Sequence, residues 1–324
     1  GRLKNALSGV VMGIVMFIGG TALLWWNEGR TVKQKRALDE TQGICVEMTD
    51  PSIADSGLNG KCVHAIATAS TEEILTDDFY NVSANAIAIE RTVEYYQWVE
   101  HTQTKTKDKV GGGQETVTTY TYEREWVSKP VDSNQFEDPD YKGTNFVNIN
   151  VPASQKQAEV VNFGAYRLPA TMVSAFPCDR DFDLGELVVE NASVLGNVVY
   201  YGSNSNNPAI GDVRVTLKKA PASQECSIVA VASSGSFCPY TAKNGNSIQL
   251  IKMGNWNSES MFAAAQKENS TLCWILRIVG ILLVVYGLKG VFGLLTSLLM
   301  VLPFLGKIGN VATGVVCWLV GGAW

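Results

Sequence analysis

An uncharged apolar run occupies residues 6–26 and reads ALSGVVMGIVMFIGGTALLWW. At about 1.5 Å of rise per residue, a helix of this length crosses a hydrocarbon layer of about 30 Å. The run is longer than the apolar part of a signal peptide, and it lacks a clear small-residue cleavage site at its end. Trp25 and Trp26 fit the aromatic belt of a membrane surface. The sequence therefore predicts an N-terminal transmembrane helix within residues 1–26.

Apolar sequence returns at Leu272 and continues to Trp324. It divides into runs at 272–288, 291–305 and 308–324, of which the second contains Pro303 and is re-entrant, interfacial or a short span. We predict two to three C-terminal transmembrane helices in 272–324, a region that we expect to be incomplete. Both ends of the chain are expected to be interior points of a longer protein.

Two features of these runs have alternative interpretations. Gly9 and Gly13 form a G-x-x-x-G pattern, which is either a helix-packing face or ordinary glycine usage in a membrane helix. Arg277 is the one charged residue inside the three C-terminal runs. It is either a functional cation within the membrane or a side chain that extends to the interface. With Trp25, Trp26 and Arg30, it is our candidate for the membrane interface.

Residues 27–271 are predominantly polar and are predicted to form one soluble domain, possibly divided into two subdomains near 130–165. Alternation and β-branched residues predict strands at 61–69, 197–201, 211–218, 227–232, 237–242 and 247–252. The aromatic and β-branched segments 87–104 and 115–127 predict a long hairpin with a flexible, charged tip. Short helices are predicted at 153–161 and 168–176, and longer ones at 27–40 and 256–269. The fold class is therefore an α+β membrane protein with an antiparallel, β-rich soluble domain and a few helices.

Two signals in the sequence disagree about which side of the membrane holds this domain. Arg30 and three further basic residues come directly after the first apolar run, which by the positive-inside rule places the domain in the cytosol. The spacing of Cys45 with Cys62, and of Cys226 with Cys238, suits two local disulfides in an oxidising lumen. The alternative is that these cysteines are buried reduced thiols.

Several classes of function find no support in the sequence. The net charge is −5 and no basic stripe crosses the polar region, so no nucleic-acid partner is expected. The chain has only two histidines, which excludes a multi-histidine metal site. It lacks G-x-S-x-G, H-E-x-x-H, C-x-x-C and phosphate-loop patterns. We therefore expect no enzymatic activity and no cofactor.

One acidic segment is the candidate metal site. Asp179, Asp181, Asp183 and Glu190 fall at positions 1, 3, 5 and 12 of a calcium-loop pattern. Leu184 stands at position 6, where such loops have glycine. The alternative is a solvated acidic turn.

The aromatic hairpin is the candidate interaction surface. On its first strand, one face carries mainly apolar residues, whereas Tyr96 and Trp98 lie on the other face beside glutamates. Aromatic residues on both faces imply a second contact, either with another part of the domain or with another protomer.

Four segments of the chain resemble one family in order and spacing. They are Asn27-Glu28-Gly29-Arg30, residues 93–100 (VEYYQWVE), residues 120–126 (YTYEREW) continuing to 133–136 (SNQF), and residues 211–215 (GDVRV). Together they resemble the transmembrane protein 43 (LUMA) family. The resemblance implies a multi-pass protein of the endoplasmic reticulum and inner nuclear membrane, with a lumenal domain and four spans.

The resemblance also implies a function. Members of the family are thought to organise membranes, to self-associate and to contact emerin and lamins. The expected function is therefore a membrane scaffold that acts as a homo-oligomer with emerin- or lamin-like partners. The alternatives are a pore-forming or channel-modulating protein and a membrane-bound enzyme with an unrecognised site.

Overall fold

The computed structural model describes the backbone of residues 2–109, 113–299 and 305–323, and side chains at 8–105, 116–292 and 314–323. The helices are α1 Arg2–Ile44, α2 Ala170–Val173, α3 Ser258–Leu299 and α4 Leu305–Ala323, with 3₁₀ turns at Ser56–Leu58 and Ser133–Gln135. The strands are β1 Val46–Glu47, β2 Cys62–Ser70, β3 Ile74–Asp77, β4 Val82–Lys109, β5 Gly113–Val127, β6 Ser154–Gln157, β7 Asn162–Phe163, β8 Tyr166–Arg167, β9 Arg180–Asp181, β10 Ser193–Leu195, β11 Val198–Tyr201, β12 Val213–Pro221, β13 Ser223–Ser233, β14 Ser236–Cys238, β15 Tyr240–Thr241, β16 Ser247–Ile248 and β17 Leu250–Met253.

Two main sheets build the domain between the membrane helices. The first has the order β1-β2-β7-β8-β14-β13-β17, with β2 and β13 also paired antiparallel over nine residue pairs. The second has the order β10-β11-β12-β4-β3, with β5 and β6 on β4 and β9 on β12. Most pairings are antiparallel, so the predicted β-rich antiparallel domain is confirmed. Both sheets combine strands from before and after residues 130–165, so this segment does not separate them.

Each main sheet covers its own apolar core. The first core contains Phe163, Met172 and Ile228, and the second contains Phe182 and Leu217. Burial alternates along β12 of the second sheet, as expected for a half-buried strand. In the first sheet, Cys226–Ala230 of β13 are all buried, because this sheet is covered on both faces.

A third core joins the helices to the sheets. Leu38 from α1 and Met261 and Phe262 from α3 pack against Val229 of the first sheet and Ile248 of the small β15–β16 sheet, and all five are buried. We call residues 27–44 of α1 and 258–271 of α3 the stalk. Because both helices continue without interruption from the stalk into the apolar runs, the membrane region and the β domain share one rigid connection.

Three helix predictions need correction. Residues 154–157 of the segment 153–161 form β6, since pairing with Ala88–Arg91 of β4 overrides a weak local preference. The helix predicted at 168–176 is only the single turn α2, which follows Pro169 and is soon stopped because Pro177 restricts the residue before it. The predicted division between 288 and 291 does not exist, because α3 runs unbroken from Ser258 to Leu299.

Candidate functional site

The two long apolar helices meet through glycines. A Cβ on Gly13 would lie 2.7 Å from the Gly287 carbonyl oxygen, and a Cβ on Gly287 would lie 2.5 Å from the Phe17 backbone nitrogen. Gly20 faces the Gly280 carbonyl oxygen at 2.9 Å in the same way. Close approach of backbones is what small residues provide in membrane helix pairs, which lack a hydrophobic driving force.

The glycine pattern was therefore only partly visible from sequence. Gly13 belongs to the packing face, and Gly9 contributes its carbonyl oxygen, 2.9 Å from a Cβ built on Gly290. These contacts favour a packing face over ordinary glycine usage, but the spacing of that face was missed. The contacts recur every seven residues, at Gly13 and Gly20 on α1 and at Gly280 and Gly287 on α3, and this repeat is a signal that the sequence contains.

Helix length and composition agree with a membrane location. The helices at Ser8–Ile44 and Ser258–Phe292 are each long and apolar enough to cross a bilayer, and Gly314–Ala323 is a shorter apolar helix. The short or re-entrant span predicted at 291–305 includes residues 300–304, which lie outside the described part of the chain.

An ion pair marks the end of the apolar region. Arg277 donates from Nε to Glu28 Oε1 at 2.5 Å and from Nη2 to Glu28 Oε2 at 2.8 Å. The guanidinium also lies 4.9 Å from the ring centre of Trp274. Arg277 is therefore neither an isolated cation nor a side chain that merely extends to water. Sequence reasoning missed Glu28 because the pair joins residues 249 positions apart.

Hydrogen bonds between α1 and α3 continue from this ion pair towards the β domain. Asn27 is buried and donates to the Cys273 carbonyl oxygen at 2.9 Å. Arg30 Nη1 donates to Asn269 Oδ1 at 3.1 Å, and Asn269 donates to the Thr31 carbonyl oxygen. The resemblance segment Asn27-Glu28-Gly29-Arg30 is thus the place where the first helix is bonded to its partner. Trp25 and Trp26 are exposed there, as expected at an interface.

The long hairpin forms as predicted, with β4 and β5 paired from Tyr95–Val127 to Lys109–Gly113. The predicted flexible tip includes residues 110–112, which lie outside the described residues. Tyr96 packs on Trp126 with ring centres 5.2 Å apart, and Trp98 packs edge-to-face on Tyr141 at 4.9 Å. The second contact of both side chains is therefore within the same domain.

Beyond Glu100 the hairpin leaves the domain. The last supports are two hydrogen bonds to the Glu100 carboxylate, one from the hydroxyl of Tyr122 in β5 and one from the Glu137 amide in the loop after β5. We call residues 101–109 of β4 and 113–121 of β5 the arm. Its described side chains, at 101–105 and 116–121, are all exposed on both faces.

One histidine–carboxylate group lies at the base of the arm. Ligand atoms of His101, Glu123 and Glu125 lie within 4.8 Å of one another, and His101 Nε2 is 2.6 Å from Glu125 Oε1. All three side chains are on one solvent-facing side of the ribbon, and the hydrogen bond accounts for their closeness. His64, by contrast, is buried and bonds to Glu47 and the Trp256 carbonyl oxygen.

The candidate calcium ligands do not converge. Asp181 lies in β9, Asp183 accepts a bond from the Gly185 amide, and Asp179 contacts Arg180. Among the described residues, these three and Glu190 form no group with ligand atoms close enough to share an ion. The interpretation as a calcium loop is wrong, because pairing of Arg180 and Asp181 with β12 extends the backbone where a loop would have to turn.

The four candidate disulfide cysteines are thiols in this structure. Cys226 lies opposite Met253 and Ala67, whereas Cys238 lies opposite Val231. Five positions along β13 therefore separate them, about 16 Å at the usual strand rise, so they cannot form the predicted disulfide. Burial raises the pKa of the Cys226 thiol to about 12, which makes it unreactive.

Cys45 and Cys62 do meet, where α1 ends and β2 begins. Their thiols are hydrogen-bonded, which holds the pKa of Cys45 below its ordinary value and raises the pKa of Cys62. The disulfide between this pair stays a prediction.

Comparison with known proteins agrees with this architecture. The family described as Transmembrane protein 43 matches residues 95–324. Transmembrane protein 43 of Rattus norvegicus is 27% identical over 321 residues, covering 96% of this chain and 80% of the relative. The Transmembrane protein 43 homolog of Drosophila melanogaster is 30% identical over 282 residues, covering 86% and 74%. The protein of Homo sapiens is 25% identical over 323 residues, covering 96% and 80%.

No solved structure matches this chain. The family match covers well over half of the chain, and the relatives agree with it over nearly the whole length. Together with the two apolar helices, these matches identify the chain as a membrane protein that belongs to the transmembrane protein 43 family.

Proposed function

We propose that this chain is a membrane scaffold that holds a β-rich domain at a fixed position above the bilayer and joins copies of itself through the arm. The observation that carries the proposal is the arm, a two-stranded ribbon that extends about 25 Å beyond its last support. A ribbon of two strands is at best marginally stable in water, so this one gains stability from a partner.

The chemistry of the arm favours a second arm as that partner. The arm parts of β4 and β5 pair with each other, so each strand has an outer edge that can accept another strand. Its exposed residues include Val117, Tyr120 and several threonines, which are typical of strands and provide cross-strand contacts. The stalk supports the same role, because a rigid connection keeps each arm at a constant height above the membrane.

Shortening the arm is expected to abolish most self-association while leaving the domain folded. The register allows residues 104–118 to be replaced by a two-residue turn, since Gln103 and Thr119 are already paired. In crosslinking with mass spectrometry on native membranes, we expect at least a tenfold loss of crosslinks between copies. The Trp98–Tyr141 contact and the Glu100 bonds lie outside the deletion and should persist.

The matched control for this deletion is Leu195→Ser, which removes an exposed apolar side chain on β10, away from the arm. It should leave the crosslinks unchanged. Equal crosslinking of the shortened and parent chains would exclude the arm as the contact. A parent chain that yields only monomers would remove the self-association proposal itself.

We further propose that the domain lies in the lumen of the endoplasmic reticulum and the nuclear envelope. The family resemblance supports this location, as does the contact between Cys45 and Cys62, a pair that an oxidising compartment can join. The emerin- or lamin-like partners that the resemblance implies belong to the same proposal.

A lumenal domain is expected to be glycosylated at two of its three N-x-S/T sequences. Asn81 and Asn191 are exposed and lie in turns with positive φ, whereas Asn269 is buried and bonded between α1 and α3. Expression in animal cells should therefore give a glycosidase-sensitive mass shift that Asn81→Gln and Asn191→Gln each halve. Asn269→Gln should not change it. A chain without any shift would place the domain in the cytosol.

The two alternative functions have less support. The described spans pack backbone to backbone at Gly13 and Gly287, and Arg277 is paired with Glu28 instead of lining an open path. Among the described residues, the buried carboxylates are Asp77 and Asp212, which bond to Arg91 and Tyr200 and not to each other. Neither arrangement favours a pore or an enzyme.

A further inference from the structure

A cavity of about 410 Å³ opens beside the Glu28–Arg277 ion pair. Trp25, Glu28 and Arg277 form its rim, at the end of the apolar run where the headgroup layer begins. Thr21, Ile281 and Gly322 line its deeper part, which therefore lies among the acyl chains. The cavity thus has a charged entrance and a largely apolar interior, aligned along the membrane normal.

We propose that this cavity binds one zwitterionic phospholipid, with an ammonium headgroup at Glu28 and its phosphate at Arg277. The ion pair occupies the Nε and Nη2 edge of the guanidinium. The Nη1 edge faces away from Glu28 and can donate to a phosphate oxygen, as arginine does in bidentate phosphate contacts.

The charges on the rim select the headgroup. Glu28 and Arg277 sum to zero, and the other residues that line the cavity are uncharged. An anionic lipid would bring its charge close to Glu28 without a second cation in the lining to offset it. A headgroup that carries both charges satisfies both side chains, and a primary ammonium can donate hydrogen bonds to the carboxylate as well.

The interior matches the next part of the same molecule. Thr21 Oγ1 is buried and has no hydrogen-bond partner among the described residues. It lies about 10 Å along α1 from Glu28, at the depth expected for the glycerol ester groups below a phosphate. Because this oxygen has almost no exposed surface, a rotation of the Thr21 side chain towards the cavity would present its hydroxyl to a lipid ester carbonyl. The acyl chain would then continue along Ile281.

Blocking the cavity tests this inference without disturbing the helix packing. A Cβ on Gly322 meets nothing within 4 Å, so Gly322→Leu adds a side chain to open space in the cavity and should fold normally. Gly19→Leu is the matched control, because its Cβ is equally free but Gly19 does not line the cavity. The protein should be the full-length chain, purified in a mild detergent.

The readout is native mass spectrometry after equilibration with phosphatidylethanolamine or phosphatidylglycerol of identical acyl chains. The parent chain and Gly19→Leu should retain one phosphatidylethanolamine at least tenfold more than phosphatidylglycerol. Gly322→Leu should lose that retention at least fivefold, and Glu28→Gln should remove the preference between the two lipids. Millimolar inorganic phosphate should not displace the lipid, which distinguishes a lipid site from a phosphate-ion site.

Exposed tryptophans provide a second comparison. Trp25 lines the cavity and the adjacent Trp26 does not, although both are mostly exposed and neither substitution should unfold the chain. Trp25→Ala should lower lipid retention about fivefold, whereas Trp26→Ala should not. Equal retention by Gly322→Leu and Gly19→Leu, or a preference of the parent for phosphatidylglycerol, would overturn the inference.

Discussion

Arg91→Met is expected to lower the free energy of unfolding around strands β3 and β4 by about 3–5 kcal/mol, since it leaves a buried carboxylate without its cation. Arg91 and Asp77 form an ion pair in which the side chains are 6% and 5% exposed. Arg91 also donates from Nε to the Pro152 carbonyl oxygen at 2.8 Å. The substitution therefore removes the partner of one charge and the donor of a second bond.

Hydrogen exchange of the amides in β3 and β4, followed in the intact membrane protein, measures this loss. A change of this size corresponds to exchange that is roughly 150- to 5000-fold faster. Asp77→Asn in the same chain should recover part of the stability, because an uncharged amide can still accept the bonds from the Phe79 and Tyr80 amides.

The neighbouring pair of Arg214 and Glu94 provides the control. This pair has two parallel hydrogen bonds, but its side chains are 37% and 36% exposed, so solvent screens the charges. Arg214→Met should cost about 0–1 kcal/mol from the ion pair, with a small further loss of its contact with the Trp126 ring. If the two methionine variants exchanged equally fast, burial would not be the source of the Arg91 effect.

Gly287→Leu is expected to separate the two membrane helices. The three atoms nearest to an added Cβ are the Phe17 nitrogen, the Gly13 carbonyl oxygen and the Phe17 Cα, all within 2.9 Å. Because these are backbone atoms, no side chain can rotate away, and the helix axes must move apart. Overpacking typically costs about 1–3 kcal/mol, and this contact belongs at the upper end of that range.

The temperature at which the detergent-solubilised protein loses its monodisperse elution peak measures this effect. We expect a decrease of about 5–10 °C for Gly287→Leu, given about 2–4 °C per kcal/mol for a domain of 150–250 residues. Gly19→Leu adds the same side chain at a position with no neighbour within 4 Å and should leave that temperature unchanged. A decrease in both variants would indicate a general effect of leucine in the helix instead of a packing clash.

Local patterns in the sequence were sufficient to predict the helices and strands whose residues show a clear apolar run or alternation. The run at 6–26, the hairpin of β4 and β5 and the strand within 211–218 follow from apolar length and alternation, which do not depend on distant partners. The helix predicted at 153–161 failed because only pairing with β4 makes that segment a strand.

For the candidate sites too, the sequence indicated single residues, whereas their partners were visible only in the structure. Gly13 and Arg277 were recognised as unusual residues of apolar runs, and the structure gives each a definite partner, Gly287 and Glu28. The calcium and Cys226–Cys238 hypotheses failed because spacing along the chain does not fix register. Residues close in sequence lie apart when a strand extends between them.

The sequence by itself determined that this chain has apolar helices near both ends and a β-rich polar domain between them, because hydrophobic length and alternation are local properties. Only the tertiary structure decided which residues meet across those helices. The glycine contacts, the Glu28–Arg277 pair and the cavity beside it join positions more than 200 residues apart, and they exist because α1 and α3 pack side by side.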